Sequence, residues 1–113
     1  MIPVGGVIME LLDFGKRLAK LRTIKNVSAR EMSLALGQNE SYINKIENAK
    51  FHASMTTFFE ICFYLEITPE EFFEIDNNDP VQVREMVTDY KRLNRDAQAN
   101  IAGLVKGMAR DGR

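Results

Sequence analysis

Apolar residues recur along most of the chain at intervals of three and four, and no segment keeps the alternation of a β-strand. Phe14, Leu18 and Leu21 mark one face of a first helix from about Asp13 to Lys25. Ser28 and Glu31 form a capping box for a second helix that ends at Leu36. The pattern predicts an all-α protein.

Capping residues set the limits of the remaining helices. Asn39 is a suitable N-cap for a third helix that continues to about Asn48. Ser54 begins a fourth helix to Leu65, which is rich in residues typical of a core. The further predicted helices are Pro69–Glu74, a sixth from the Asp79-Pro80-Gln82 cap to about Leu93, and a seventh, capped by Asn94 or Asp96, to near Ala109.

The polar cluster from Asp76 to Asp79 predicts a linker between two parts of the chain. We therefore expect a leader over residues 1–12, a folded domain over residues 13–75 and a helical hairpin over residues 76–113. The Gly-Gly pair of the leader also suggests translated ribosome-binding-site sequence, with Met9 as the natural start.

Charge is distributed unevenly although the net charge is only −1. Residues 13–52 hold eight basic and four acidic residues, whereas residues 53–79 hold seven acidic residues and no Lys or Arg. From residue 80 onward, seven basic residues face four acidic ones. Such polarity can direct one end of a molecule toward a polyanion.

The composition argues against several classes of protein. One cysteine, Cys62, excludes an internal disulfide and favours a reducing cytoplasm, and with a single histidine it makes a zinc site improbable. No apolar run has the length of a membrane span or the form of an export signal. We find no nucleophile–base set, phosphate-binding glycine loop or metal-ligand cluster, and therefore expect no enzyme activity and no cofactor.

The second and third predicted helices are joined by a tight turn at Gly37, with the small Ser33 where a larger side chain would separate them. Their apolar residues, including Met32, Leu36, Ile43 and Ile46, would pack on neighbouring helices. The opposite face of the third helix is short and polar, as suits the donors and acceptors of the DNA major groove. It consists of Glu40, Ser41, Asn44, Lys45 and Asn48.

Over about half its length the chain resembles the lambda-repressor-like, or Xre-family, helix-turn-helix regulators. Three segments carry the likeness in the family's order and spacing: Phe14-Gly15-Lys16-Arg17-Leu18, Ser28-Ala29-Arg30-Glu31-Met32 with Leu36-Gly37, and Ser41 to Asn48. A fourth runs from Leu65 to Phe73. The resemblance implies a five-helix DNA-binding domain, used as a dimer on two half-sites of double-stranded DNA.

The resemblance and the polar face together assign roles to residues. Arg22 and Glu47 match a salt bridge between the first and third helices, and we assign them to the scaffold. Residues expected to read base edges are Asn39, Glu40, Ser41, Asn44 and Lys45. Residues expected at the phosphate backbone are Ser28, Arg30, Gln38, Tyr42, Asn48, Lys50 and His52; Tyr42 could instead pack beside Ile46.

The chain departs from the family pattern at three positions. Ala29 replaces a glutamine that anchors the backbone in many members, and Gln38 replaces a small apolar residue. Ala49 replaces the glycine after the recognition helix, so we expect Asn48 to adopt the left-handed conformation.

Two apolar stripes follow the linker, and they predict the helical hairpin. They could pack on each other, on the first domain or on a second chain, and we favour a homodimer. The stripe residues assigned to dimerisation are Val83, Met86, Val87, Tyr90, Ile101, Leu104, Val105 and Met108. The favoured function is a sequence-specific repressor; the alternative is a protein-interaction module, antirepressor- or antitoxin-like, with a degenerate helix-turn-helix.

Overall fold

The structure, a computed structural model, describes residues 10–111, and all regular elements in that range are α-helices. The predicted all-α class is therefore confirmed. Residues 1–9, with most of the predicted leader and the proposed start at Met9, lie outside the described residues. The helices are α1 (Leu11–Lys25), α2 (Ala29–Ala35), α3 (Tyr42–Glu47), α4 (Met55–Leu65), α5 (Pro69–Phe72), α6 (Pro80–Lys91) and α7 (Arg95–Asp111).

The chain divides into two compact units, and the division falls after Pro80. The first unit contains α1 to α5, and the second contains α7 and all of α6 beyond its first residue. We refer to α6 and α7 as the C-terminal helix pair.

Side-chain caps fix where several helices begin. The hydroxyl groups of Ser28, Ser54 and Thr68 each accept a hydrogen bond from the backbone N–H three residues later, at 2.9, 3.1 and 3.0 Å. Each cap satisfies a donor that the first helical turn would otherwise leave unpaired. The starts predicted for α2, α4 and α5 from these residues therefore agree with the structure.

Other helix ends differ from the predictions. The first helix begins at Leu11, two residues earlier than expected, because Glu10 and Asp13 form a capping box. At the start of α7, the Ala97 N–H donates to Asn94 Oδ1 at 2.8 Å, so Asn94 and not Asp96 provides the cap. The ends of α5 and α6 each come two residues before those predicted.

The core of the first unit combines aliphatic residues with an aromatic cluster. The rings of Phe14, Phe58 and Phe72 pack at centroid distances of 5.7, 4.8 and 5.2 Å, which joins α1, α4 and α5. Beside them the most deeply buried apolar side chains are Leu18, Met32, Ile43, Ile46 and Ile61. Phe59 belongs to the fourth helix, whose apolar residues the sequence analysis described as typical of a core, but it is exposed.

Gly15 permits α1 and α3 to approach closely. A Cβ atom at this position would lie 2.8 Å from the carbonyl carbon and 2.9 Å from the Cα of Glu47. No side chain larger than hydrogen fits there without moving a backbone. The α1–α3 crossing holds the third helix against the core.

Arg17 ties α1 to the end of α5, although its charge suggested the surface. Its guanidinium group is buried and donates to the carbonyl oxygens of Phe72, Glu71 and Asn77 at 2.6, 2.9 and 3.0 Å. Burial lowers the pKa of Arg17 from its ordinary value, and the nearby charge of Glu74 opposes that shift. Arg17 is therefore not part of the positive surface that the charge distribution predicted.

The C-terminal helix pair leaves its apolar residues largely uncovered. No residue of α7 is buried, and Leu104 and Met108 are 60% and 65% exposed. The two helices share a groove of about 570 Å³. The groove is lined by Met86, Val87, Asp89, Tyr90, Leu93, Ile101, Ala102, Val105 and Lys106.

Across residues 10–111, no helix has both the length and the apolar character to span a membrane.

Candidate nucleic-acid interface

The turn between α2 and α3 depends on one left-handed residue. Gly37 has a φ of 75°, a conformation that glycine adopts without the steric cost of a Cβ. The Gly37 N–H donates to the Leu34 carbonyl and the Gln38 N–H to the Ser33 carbonyl, both at 3.0 Å. These bonds close the end of α2 and redirect the chain into α3.

Ser33 connects the two helices as well as fitting between them. Its hydroxyl group donates to the Ala29 carbonyl at 2.7 Å and accepts from the Ile43 N–H at 2.9 Å. Because the first turn of α3 leaves its N–H groups without helical partners, this bond satisfies one of them inside the core. Sequence reasoning found the small size of Ser33 but not this hydrogen bond.

The third helix begins later than the sequence suggested. Asn39 does not cap it, because the Asn39 side chain accepts from the Ser41 N–H and hydroxyl group at 3.0 and 2.9 Å. This local turn is one that asparagine forms readily, and it places the N-cap at Ser41. Asn39 and Glu40 therefore precede the helix, and Ser41 is its N-cap residue.

The end of α3 also differs from the prediction. Ala49 has a φ of 61°, whereas Asn48 has a φ of −95°. The left-handed residue is thus Ala49, at the position where the resembled family carries glycine. With Ala49 in this conformation the Lys50 N–H can bond the Lys45 carbonyl at 2.8 Å, which closes the helix end.

Five polar residues lie just before α3 or within its first residues. We call them the reading face: Asn39, Glu40, Ser41, Asn44 and Lys45. All are exposed except Ser41, which is partly buried. Short amide and hydroxyl groups with one cation can donate to and accept from base edges.

Glu40 does not stand alone on the reading face. Its carboxylate accepts from Arg30 Nε at 3.1 Å, and both side chains are exposed. The sequence assigned Arg30 to a phosphate and Glu40 to a base. The ion pair instead joins the two residues and reduces the repulsion that an isolated carboxylate would exert on phosphate.

Arg22 and Glu47 form a bidentate ion pair between α1 and α3. The Nε and Nη2 atoms of Arg22 lie 2.7 and 3.0 Å from the two carboxylate oxygens, and Nη1 donates to the Val27 carbonyl at 2.8 Å. The hydrogen bond with Glu47 raises the pKa of Arg22 above its ordinary value. Both side chains are largely shielded from solvent, so they orient α3 and are not available to a ligand.

The residues expected at the phosphate backbone occupy different environments. Lys50 and His52 are exposed, Asn48 donates from its side chain to the Asn44 carbonyl at 2.8 Å, and Gln38 is partly buried. The Ser28 hydroxyl serves as a helix cap. Tyr42 packs with its ring centroid 5.4 Å from that of Phe51, so its aromatic face has a protein partner.

The positive charge of residues 13–52 is smaller at the surface than in the sequence. Besides the buried Arg17, three of its basic residues pair with carboxylates: Arg22 with Glu47, Lys25 with Glu66 and Arg30 with Glu40. Within the described part of the chain, four exposed lysines of this segment take part in no ion pair. They are Lys16, Lys20, Lys45 and Lys50.

The family comparison bears directly on this geometry. Residues 18–72 match the family model described as helix-turn-helix, of the lambda-repressor-like kind. Residues 18–72 form a helix-turn-helix domain. No curated protein and no solved structure matches the chain at a significant level.

The matched family consists of DNA-binding regulators of transcription, so the match supports a DNA-binding role for the helix-turn-helix domain. The match includes α2, the turn at Gly37 and α3, and it ends at Phe72, where Arg17 holds the last turn of α5. The second unit lies outside the matched residues.

Nothing in the described range suggests a metal or redox centre. It contains no group of three or more His, Cys, Asp or Glu side chains placed to hold a metal ion. Cys62 is a buried free thiol, and burial raises its pKa to about 11. At neutral pH Cys62 is therefore a protonated core side chain.

Proposed function

We propose that the chain is a sequence-specific transcriptional repressor that binds double-stranded DNA as a homodimer and inserts α3 into the major groove. The observation that carries the proposal is the reading face within a helix-turn-helix domain. Four of its five polar side chains are exposed and Ser41 is partly buried, while the apolar side of α3 is buried through Ile43 and Ile46.

Major-groove insertion follows from the chemistry and the size of the reading face. Asn39, Ser41 and Asn44 can donate and accept at base edges, and Lys45 can donate to guanine O6 and N7. Glu40 can accept from a cytosine amino group, with Arg30 supplying the charge that offsets its repulsion by phosphate. The helix has six residues and is about 9 Å long. Because recognition helices contact base edges with their N-terminal residues, we assign base contacts to the start of α3.

The unpaired lysines supply the non-specific part of the binding. Lys50 lies three residues after the end of α3 and is exposed, which suits contact with a phosphate beside the groove. A lysine at a phosphate acts mainly as a point charge and releases counterions, so its contribution falls as the salt concentration rises. Lys50 would strengthen binding without selecting a sequence.

Dimerisation is assigned to the C-terminal helix pair. One short recognition helix contacts few base pairs, and pairing two of them on one duplex raises the affinity. The helix pair offers the apolar surface for such pairing, since Leu104 and Met108 are uncovered and Met86, Tyr90 and Ile101 border an open groove. A dimer of this kind on a promoter would repress by occupying the site that polymerase needs.

Because DNA and a second copy suffice for this action, the proposal includes no enzyme activity and no cofactor. With chromosomal DNA as the partner, the proposed place of action is the cytoplasm.

Fluorescence anisotropy on labelled duplexes that carry the promoters of its own and neighbouring genes tests the proposal. Lys45→Ala and Ser41→Ala should weaken binding to the preferred duplex by about 5- to 100-fold, yet change binding to a scrambled duplex little. Lys50→Ala should weaken both duplexes alike and flatten the slope of log affinity against log salt by about 1.8, or about 0.9 for each copy in the dimer. Lys91→Ala, an exposed lysine on α6, is the matched control and should change neither.

The proposal fails if the chain binds no duplex, or if it binds all duplexes equally without a salt dependence. That result would favour the protein-interaction module, because a degenerate domain retains the fold without reading bases.

A further inference from the structure

Helix α4 is apolar on two sides, but the first unit buries only one of them. Phe58, Ile61, Cys62 and Leu65 face the core. On the other side, at intervals of four residues, stand three further apolar residues: Met55, Phe59 and Phe63. An exposed apolar stripe of this length on a helix is typical of a surface that a partner covers, so the second stripe calls for a partner.

The exposed stripe borders a groove of about 720 Å³, which we call the α4 groove. The end of α2 forms one wall through Ala35 and Leu36, and Phe63 stands beside it with 86% of its surface exposed. No residue of the reading face lines the α4 groove, which leaves it separate from the DNA-binding surface. Its other lining residues are Thr56, Phe59, Glu60 and Tyr64.

The lining of the α4 groove carries a negative charge. Glu60 is its charged residue, and residues 53–79 of the chain, which include all of α4, contain seven acidic residues and no Lys or Arg. Lys25 lies beside the groove, 5.6 Å from the centre of the Tyr64 ring, but it pairs with Glu66 at 3.0 Å. An acidic ligand would be repelled here, and a basic one would be attracted.

We propose that the α4 groove docks an amphipathic helix of another protein, with an apolar stripe flanked by Lys or Arg. The residues at i, i+4 and i+8 form a ridge, and such ridges pack into the grooves between the side chains of a second helix. From Met55 to Phe63 the ridge extends for about 12 Å, which matches a little over two helical turns of the partner. Cations beside the partner's stripe would meet Glu60.

This interaction goes beyond DNA binding and does not rest on it. A regulator that binds DNA through α3 would bind its protein partner through the α4 groove, which consists of other residues. DNA and the protein partner could therefore be bound at the same time.

A pair of designed peptides tests the α4 groove in the full chain. Each peptide has about 18 residues, or five helical turns, and carries leucine along one helix face at the spacing i, i+3, i+4 and i+7. Lysine fills the other positions in one peptide, and glutamate fills them in the other. Anisotropy of the labelled peptides should show the lysine peptide binding at least about tenfold more tightly, with an affinity that falls with salt.

Phe63→Ser should weaken the lysine peptide by about tenfold or more, because burying a phenylalanine accounts for that much affinity. It should leave the melting temperature and DNA binding unchanged, since Phe63 is exposed and does not line the reading face. Met108→Ser removes a similarly exposed apolar side chain from α7 and is the control, which should not weaken the peptide.

Four results would overturn the inference. They are no peptide binding, equal binding of both peptides, a loss with Met108→Ser but not with Phe63→Ser, and a lower mass of the free chain in sedimentation with Phe63→Ser. The last result would show that a second copy covers the α4 groove. Failure of DNA binding with normal peptide binding would contradict the proposed function alone.

Discussion

In the first unit Leu18, Met32 and Ile43 are wholly buried, whereas Leu104 and Met108 on α7 of the second unit are 60% and 65% exposed. Both units carry apolar residues at helical spacing. The difference lies in what covers them: five helices pack around one core in the first unit, and in the second the two helices leave their shared groove open. A helical period therefore specifies which face is apolar, but not whether the same chain covers it.

Substitution of one leucine in each unit tests this difference most strongly. Leu18→Ala should lower the free energy of unfolding by about 3 kcal/mol, through lost burial and a cavity. Leu104→Ala should lower it by no more than about 0.5 kcal/mol in dilute protein, because the side chain is already exposed. Urea denaturation at several protein concentrations measures both.

The same titrations examine the proposed dimer. If Leu104 packs against a second copy, Leu104→Ala should reduce the rise of stability with protein concentration and raise the dimer dissociation constant in sedimentation. An equal cost for the two substitutions in dilute protein would contradict the difference between the units, because it would place Leu104 in an intramolecular core.

Two helical glycines sharpen the comparison. Gly15→Ala should destabilise the first unit by about 2 kcal/mol, because the added methyl group would meet the backbone of Glu47. Gly103→Ala on α7 should instead stabilise its helix by about 0.5–1 kcal/mol, since a Cβ there has open space around it. Thermal unfolding of the two variants should show shifts of opposite sign; a higher melting temperature with Gly15→Ala would disprove the close α1–α3 approach.

A smaller effect is expected at the end of α3. Ala49→Gly should stabilise the protein by about 1 kcal/mol, because alanine pays a steric cost in the left-handed conformation and glycine does not. Asn48→Gly is the control, and it should give no gain because the φ of Asn48 is negative. If denaturant titration shows the gain with Asn48→Gly instead, the sequence-based assignment of the left-handed residue was right.

The last effect appears only in alkaline solution. Burial raises the pKa of Cys62 to about 11, so the folded chain keeps the proton that the unfolded chain loses near pH 8.5, roughly the value for a free thiol. This contribution to stability should be complete below about pH 8.5 and decline as the pH rises toward 11. When the pH is raised from neutral to alkaline, the urea midpoint of the native chain should fall further than that of Cys62→Ala. Equal declines would show that Cys62 is not desolvated.

Local signals in the sequence were sufficient for most of the fold. The hydroxyl caps at Ser28, Ser54 and Thr68 act within three residues, so their pattern is visible without the tertiary structure. The turn at Gly37 was predicted for the same reason. Predicted helix boundaries were wrong where two polar residues could both serve as the N-cap. The Asn39 side chain accepts from the Ser41 N–H, and Ser41 is the N-cap of α3.

Long-range contacts were beyond reach of such signals. Arg17 looked like a surface cation, yet it donates hydrogen bonds to carbonyl groups that lie 54 to 60 residues later in the chain. The Arg30–Glu40 pair could be suspected from opposite charges but not placed, because it depends on the angle between α2 and the turn before α3. Phe59 and Phe63 are typical core residues, and only the packed structure shows them exposed.

Selection of bound sequences from a random duplex pool tests the central claim, that the reading face of a paired helix-turn-helix domain selects DNA. The native chain should enrich an inverted repeat with half-site centres about 10 base pairs apart. Lys45→Ala should lose the preference for one base in each half-site, while Lys50→Ala should enrich the same repeat with lower affinity. No enriched sequence, or an unchanged repeat with Lys45→Ala, would contradict the account.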